Sequence, residues 1–119
     1  YVMRLTSVVK GQLLPGLASI EALKATLPAG TVSGAPKIRA MKRIYEAEKE
    51  KRGVYAGAIG YLSVTGDLDF AIAIRTMILK NKKAYVQAGA GIVYDSIAEN
   101  EYQETVNKAK SMTRIGEEG

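Results

Sequence analysis

Apolar residues recur with two different periods along the chain, and these periods predict where helices and strands lie. Residues 2–13 alternate loosely and include three valines, which predicts a first strand. Leucine and isoleucine recur at helical spacing over residues 16–27, and a loop over residues 28–35 follows. A second apolar stripe over residues 38–45 predicts another helix, with Pro36 in its first turn and its end at about residue 50. The next strands are predicted at residues 54–64, 68–79 and 84–88.

A final helix completes the predicted architecture. Ser96 and Glu99 have the spacing of a capping box, so this helix should start after Ser96 and run to about residue 114. The three strands after residue 53 are joined by short polar turns, which favours an antiparallel β-meander. The predicted fold class is therefore α/β of the α+β type, with an antiparallel meander and flanking helices in one domain over residues 1–119.

The composition narrows the chemistry that this domain can perform. Its 119 residues are 47% hydrophobic and 24% charged, which is typical of a soluble globular protein. The chain has no cysteine and no histidine, which excludes disulfides, thiolate chemistry and histidine-ligated zinc. A bound metal would have oxygen ligands, which points to a hard cation such as Mg²⁺.

The charge and hydropathy patterns bear on possible partners. The net charge is +5, but no aromatic residues interleave with the basic ones, so a solvated helix face is favoured over nucleic-acid binding. No apolar run has the length of a membrane span, and we therefore expect no membrane contact and a cytoplasmic location.

Two glycine-containing segments predict an anion site. Residues 28–37 place two glycines and two hydroxyl residues just before a helix, where unpaired N–H groups and the helix dipole favour an anion. The second segment, Gly89-Ala90-Gly91, ends a strand with small residues that let a ligand reach backbone N–H groups. A tight structural turn would have the same sequence.

Two side chains of the predicted strands could bind a carboxylate. Arg75 follows the apolar run of residues 71–74, and an arginine there needs a partner. That partner is either a substrate carboxylate, which a guanidinium binds with two parallel hydrogen bonds, or a structural Asp or Glu. Tyr55 could add a hydroxyl to the same carboxylate, or could be a half-buried aromatic of the sheet.

The last predicted helix carries an acidic pair. Glu101, Glu104 and Lys108 fall within about 60° of one another on a helical projection. Two carboxylates three residues apart can jointly hold a hard divalent cation. The competing interpretation is an ordinary surface ion pair between Glu104 and Lys108.

Five strings in fixed order resemble a known enzyme family. They are residues 28–37, 52–61, 71–76, 87–93 and 101–105, and they span essentially the whole chain. In this order they resemble the C-terminal part of the chorismate-utilising enzymes, and among these the anthranilate synthase component I family most of all. The resemblance implies a chorismate-binding fold and a Mg²⁺-dependent lyase of tryptophan biosynthesis. In that reaction chorismate and ammonia give anthranilate and pyruvate, and a glutamine amidotransferase subunit (component II) supplies the ammonia.

The resemblance also implies roles for individual residues. Gly30 and Thr31 would contact the substrate, Tyr55 and Arg75 would hold its enolpyruvyl carboxylate, and Glu101 and Glu104 would bind Mg²⁺ directly or through water. The amides of Gly89, Ala90 and Gly91 would complete the carboxylate cradle. Thr31 and Lys108 are the candidate catalytic residues implied by the same comparison.

The sequence departs from the family pattern in two respects. The family usually has a histidine, thought to assist pyruvate elimination, where this chain has Arg4, and arginine does not act as a base at neutral pH. Family members are also several times longer, so the isolated chain should be inactive and should expose apolar surface that favours oligomers. Two alternatives remain open: an aminodeoxychorismate, isochorismate or salicylate synthase-like enzyme, or a non-catalytic module that binds an anion or a partner.

Overall fold

Short helices and antiparallel hairpins make up the computed structural model, which describes residues 6–113. Its helices are α1 (Ser19–Thr26), α2 (Gly30–Ser33), α3 (Lys37–Ala47) and α4 (Ala98–Thr113). Its strands are β1 (Ala58–Leu62), β2 (Leu68–Ile72), β3 (Met77–Lys80) and β4 (Lys83–Val86). The predicted α+β class and the antiparallel pairing are thus confirmed.

The strands form two separate hairpins rather than the single three-stranded meander that the sequence predicted. β1 pairs with β2, and β3 pairs with β4. The predicted strand over residues 68–79 is interrupted because Arg75 has φ of 51°, a left-handed conformation that an extended strand does not contain. Asn81 and Lys82 also have positive φ, as the two-residue turn of the second hairpin requires. The interruption therefore separates the two hairpins into two sheets.

Several predicted boundaries also move. Residues 6–13 contain no strand, and residues 2–5, including Arg4, lie outside the described residues. The predicted loop over residues 28–35 contains the single-turn helix α2. α4 begins at Ala98, two residues beyond Ser96, whose hydroxyl instead accepts a hydrogen bond from the Val93 N–H at 3.0 Å. Local hydrogen bonds of this kind are not visible in a hydrophobic pattern.

Few side chains are buried in the described part of the chain. The buried apolar residues there are Ala73 and Met112, whereas Val64 and Tyr94 are fully exposed. The accessible surface is 10797 Å², compared with about 6300 Å² expected for a folded monomer of this mass. The described elements therefore leave large apolar surfaces available for packing against further protein. None of the helices within residues 6–113 combines the length and the apolar character needed to cross a membrane.

Gly60 is a testable constraint on the first hairpin. A Cβ atom at this position would overlap the Asp69 carbonyl oxygen and would lie 2.7 Å from the Phe70 Cα atom. Since these are backbone atoms of the paired strand, Gly60→Ala should lower the free energy of unfolding by about 1–3 kcal/mol. Denaturant unfolding measures this change. Gly11→Ala is the matched control, because a Cβ atom at Gly11 would have no neighbour within 4 Å, and equal effects of both substitutions would contradict the prediction.

Candidate functional site

Most of the predicted site residues converge on one cavity of about 680 Å³. It lies between α2, α3, α4 and the segment over residues 87–92. The predicted residues in its wall are Thr31, Tyr55, Arg75, Gly89, Ala90, Gly91 and Lys108. The volume is within the range of small-molecule sites. Residues as distant along the chain as Thr31 and Lys108 are thus brought to one concave surface.

The cavity carries an excess of positive charge. Its lining includes four cationic side chains, Arg43, Arg52, Arg75 and Lys108. The lining carboxylate is Glu48, and it is already paired with Arg52. Cationic walls around a concave surface raise the local concentration of anions. The arrangement therefore fits an anionic small molecule.

Arg75 reaches the cavity because the chain leaves the β-ladder just before it. The Ile74 N–H bonds to the Ile72 carbonyl at 2.8 Å, and the Thr76 hydroxyl bonds to the Ile74 carbonyl at 3.0 Å. These local bonds hold a tight turn in which Arg75 has a left-handed conformation. Within residues 6–113, Arg75 forms no ion pair with a carboxylate. The sequence left two interpretations of Arg75, a structural Asp or Glu partner and a substrate carboxylate. The described part of the chain contains no such structural partner.

Tyr55 and Gly89 are in close contact in the cavity wall. A Cβ atom at Gly89 would lie 2.9 Å from the Tyr55 hydroxyl, so the absence of a side chain at Gly89 lets the phenol approach the backbone. In the described part of the chain, the N–H groups of Gly89, Ala90 and Gly91 donate no hydrogen bond to other backbone groups. The wall consequently offers several donors beside one another.

Lys108 connects α4 to this glycine segment. Its ammonium group lies 2.5 Å from the Glu104 carboxylate and donates a hydrogen bond of 3.0 Å to the Gly89 carbonyl. The ordinary i,i+4 ion pair considered from the sequence is thus formed. Because the same ammonium also binds Gly89, the pair fixes α4 against the cavity wall.

Of the acidic pair of α4, Glu104 lies beside the cavity, and Glu101 lines neither the cavity nor the depression next to it. Glu104 borders a neighbouring depression of about 540 Å³ that shares Arg75 and Lys108 with the cavity. Neither Glu101 nor Gly30 lines the cavity; the Gly30 carbonyl closes α2 by accepting the Gly34 N–H at 2.8 Å. Among the residues that the structure describes, no group of three acidic, histidine or cysteine side chains could by itself hold a metal ion.

Arg52 is an important residue of the site that the sequence analysis did not select. Its guanidinium binds both oxygens of Glu48 at 2.8 and 2.5 Å, and it donates to the Val32 carbonyl at 2.8 Å. It also lies 5.5 Å from the centre of the Tyr55 ring, within cation–π range. The i,i+4 spacing of Glu48 and Arg52 is the signal that could have indicated the pair, but the contacts with Val32 and Tyr55 have no sequence signature.

The ion pair also shifts the acidity of both groups. The hydrogen bond from Arg52 lowers the pKa of Glu48 below its usual value of 4.5, against the opposing effect of partial burial. The hydrogen bond to Glu48 correspondingly raises the pKa of Arg52. Both groups are therefore charged near neutral pH.

These features define a class of protein: an α+β domain with a cationic cavity that is lined by backbone donors and fits an anionic small molecule. The chain belongs to the chorismate binding enzyme family, whose model matches residues 1–114.

Individual relatives agree with this assignment. The chain is 65% identical over 117 residues to anthranilate synthase component 1 of Lactococcus lactis, a match that covers 98% of this chain and 26% of the relative. It is 58% identical over 113 residues to the protein of that name from Pseudomonas aeruginosa, covering 95% of this chain and 23% of the relative.

A solved structure is similar as well. The crystal structure of anthranilate synthase component I from Streptococcus pneumoniae superposes with a TM-score of 0.84 at 84% sequence identity. The match covers 87% of this chain and 24% of that chain. The sequence thus spans about a quarter of the length of the relatives that it matches.

The Arg52–Glu48 pair predicts a pH-dependent contribution to stability. Because the pKa of Glu48 is lowered on folding, the pair stabilises the protein above pH 4.5 and loses this effect as the pH falls through the lower folded-state pKa. Glu48→Gln should lower the free energy of unfolding at pH 7 by up to about 1 kcal/mol. The difference from the parent protein should shrink below pH 4.5, as followed by thermal unfolding at several pH values.

Glu46→Gln is the matched control for that series. Glu46 pairs with Arg43 on the same helix at 2.8 Å, but both side chains are about 60% exposed. Such an exposed pair should contribute almost nothing at any pH. If Glu48→Gln behaves like Glu46→Gln across the pH range, the role assigned to Arg52 is wrong.

Proposed function

We propose that this chain is the C-terminal portion of a chorismate-binding domain and acts within an anthranilate synthase component I. The proposed reaction converts chorismate and ammonia to anthranilate and pyruvate, in the cytoplasm and in tryptophan biosynthesis. The ammonia would come from a glutamine amidotransferase subunit. The proposal rests above all on the convergence of Arg75, Tyr55, Lys108 and the 89–91 segment on one cationic cavity.

The chemistry of the cavity suits this substrate. Chorismate has two carboxylates, and a dianion of that size needs donors on more than one side. Arg75 can bind one carboxylate with two parallel hydrogen bonds, and the Tyr55 hydroxyl beside Gly89 can donate to the same group. The N–H groups of residues 89–91 can bind a carboxylate oxygen from the wall that Lys108 holds in place. Binding at both ends would fix the ring for attack by ammonia.

Thr31 also lines the cavity, from the single-turn helix α2. Its hydroxyl can donate to a ring substituent of the substrate or accept from it. Lys108 is already committed to Glu104 and to the Gly89 carbonyl. Its role in the proposed reaction is therefore to hold the wall and to add positive charge beside the substrate.

Mg²⁺ fits the donor chemistry of α4. Glu101 and Glu104 supply carboxylate oxygens, the ligand type that Mg²⁺ prefers, from two successive turns of one helix. Two carboxylates fill only part of an octahedral shell, so the other ligands would be water, the substrate and protein outside residues 6–113. When bound, the ion would neutralise negative charge on a substrate carboxylate.

The exposed apolar surface supports the partner assignment. A chain whose large apolar side chains are mostly exposed has surface to bury against the remainder of a longer enzyme, against component II or against a second copy. This is also the reason to test function in the full-length protein that contains the sequence, rather than in residues 1–119 alone.

The direct test measures product formation from chorismate by the full-length protein. With chorismate, MgCl₂ and an ammonium salt, we expect a rise in anthranilate fluorescence, and glutamine should replace the ammonium salt once component II is added. Absence of any chorismate consumption in a folded full-length protein would refute the proposed function.

Arg75→Lys tests the carboxylate contact. Lysine keeps the charge but cannot form two parallel hydrogen bonds, so the KM for chorismate should rise about 10- to 100-fold with an unchanged melting temperature. The control is Arg39→Lys, because Arg39 is exposed on α3 and does not line the cavity. Equal KM values for the two variants would show that Arg75 does not hold the substrate.

Arg4 favours a second candidate product. Since arginine does not act as a base at neutral pH, the reaction could stop at an aminodeoxy compound before pyruvate leaves, or give an isochorismate-type product. Chromatography of the products separates these outcomes from anthranilate. If elimination is the slow step, Arg4→His should raise the ratio of anthranilate to the intermediate, and an unchanged ratio would show that Arg4 does not limit elimination.

A further inference from the structure

Ala56 has a backbone conformation that an alanine seldom adopts. Its φ is 69°, in the left-handed region, where the Cβ atom of any residue other than glycine is crowded by the backbone. Such strain persists only where the surrounding structure holds the backbone in place. Ala56 directly follows Tyr55 in the sequence, so the strained residue lies beside a side chain of the cavity wall.

A tight turn is the first constraint on Ala56. The Gly57 N–H donates to the Val54 carbonyl at 3.1 Å, which closes a four-residue turn with Tyr55 and Ala56 at its centre. A type II turn requires a positive φ at its third residue, and glycine is the residue that usually supplies it. Here Ala56 occupies that position, so the turn itself demands the left-handed conformation.

A β-bulge is the second constraint. Just before β1, the Ala56 N–H donates to the Ala73 carbonyl at 2.9 Å, and the Ala73 N–H donates to the Gly57 carbonyl at 2.9 Å. Two residues of one segment thus face a single residue of the other, which is the pattern of a bulge whose first residue is left-handed. Ala73 is only 1% exposed, so the bulge is anchored on a buried residue.

The bulge lies between two residues of the cavity wall. Tyr55 immediately precedes it on one segment, and Arg75 follows Ala73 by two residues on the other. Bulges next to active sites change the direction in which a strand presents its side chains. Since a shift of one residue in register turns every side chain to the other face of a sheet, the extra residue of the bulge decides on which face Tyr55 lies.

We infer that Ala56 is a positioning residue of the site, whose left-handed conformation directs the Tyr55 side chain towards the Gly89 segment of the cavity wall. The inference rests on the proposed function for the ligand that Tyr55 contacts. Two contacts of the side chain agree with it. The Arg52 Cζ atom lies 5.5 Å from the centre of the ring, and a Cβ atom at Gly89 would lie 2.9 Å from the hydroxyl. The bulge aims the side chain, and these contacts hold the phenol in place.

Substitution of Ala56 by glycine tests the strain. Glycine adopts a positive φ without crowding, so in the full-length protein Ala56→Gly should leave the melting temperature unchanged or raise it, although glycine ordinarily destabilises. Ala71→Gly is the matched control, because Ala71 is an exposed alanine of β2 that does not line the cavity. This control should lower the melting temperature. An equal loss in Ala56→Gly would overturn the inference.

Ala56→Val tests the link to Tyr55. A branched side chain opposes the left-handed conformation, so the KM of the full-length protein for chorismate should rise about 10-fold, the effect of losing one hydrogen bond to a charged oxygen. Tyr55→Phe removes that hydrogen bond directly and should raise KM by a similar factor. The double variant should exceed either single variant only slightly, because both substitutions act through the same hydroxyl. Ala71→Val should keep the parent KM.

The double-mutant cycle separates positioning from a general effect on folding. If Ala56→Val raises KM by the same factor with and without the Tyr55 hydroxyl, Ala56 acts through another contact and the inference is wrong. Where Ala56→Val does not fold, Ala56→Leu, which lacks the branch at Cβ, takes its place in the cycle with the same expected non-additivity.

The results also distinguish this inference from the proposed function. If Tyr55→Phe leaves KM unchanged while Arg75→Lys raises it, the function stands and the role of Ala56 is overturned. If the full-length parent neither binds nor consumes chorismate, the proposed function fails, and the positioning role fails with it. The melting temperatures of the two glycine variants do not depend on chorismate, so they report on the turn in either case.

Discussion

The cavity depends on the guanidinium of Arg52, which ties together the end of α3, the α2 backbone and the Tyr55 ring. Through Glu48 it is fixed to the end of α3, through the Val32 carbonyl it holds α2, and it lies against the Tyr55 ring. A planar group with five donors can satisfy these contacts simultaneously, which the point charge of a lysine cannot do. Since Val32 lies between Thr31 and Ser33, this side chain helps to fix the position of that wall.

A second part of the cavity wall is also fixed by a charged side chain. Lys108 is paired with Glu104 on its own helix and donates to the Gly89 carbonyl, so α4 and the glycine segment are held together. Gly89 then accommodates the Tyr55 hydroxyl where any side chain would displace it. Tyr55 contacts both halves of the arrangement, through Arg52 on one side and Gly89 on the other. The two walls are therefore coupled, although they come from distant parts of the sequence.

The helices and strands that form the cavity share only a small hydrophobic core in the described part of the chain. The buried apolar residues in the described part of the chain, Ala73 and Met112, are too few to hold the elements together by packing. Hydrogen bonds and ion pairs therefore fix the positions of these elements where apolar packing is sparse. The exposed apolar faces of the hairpins and helices are the surfaces through which a longer enzyme would stabilise this region.

The sequence by itself determined the class of fold, the approximate position of most helices and strands, and the residue types available for chemistry. It also indicated residues that converge on the cavity, such as Arg75 and Gly89, although their convergence was an expectation from residue chemistry and a family resemblance until the structure showed it. The i,i+4 pair of Glu104 and Lys108 was equally visible, because a helix places residues four apart on one face.

Only the tertiary structure decided the break between β2 and β3, the contacts of Arg52 and the burial of Ser33. The left-handed conformation of Arg75 was not apparent because its apolar neighbours continue a strand-like pattern. The contacts of Arg52 with Val32 and of Lys108 with Gly89 join residues about 20 positions apart. A periodic pattern reports which residues share a face of one element. It does not report which faces the path of the chain brings together, and that path fixes the hydrogen bonds of the site.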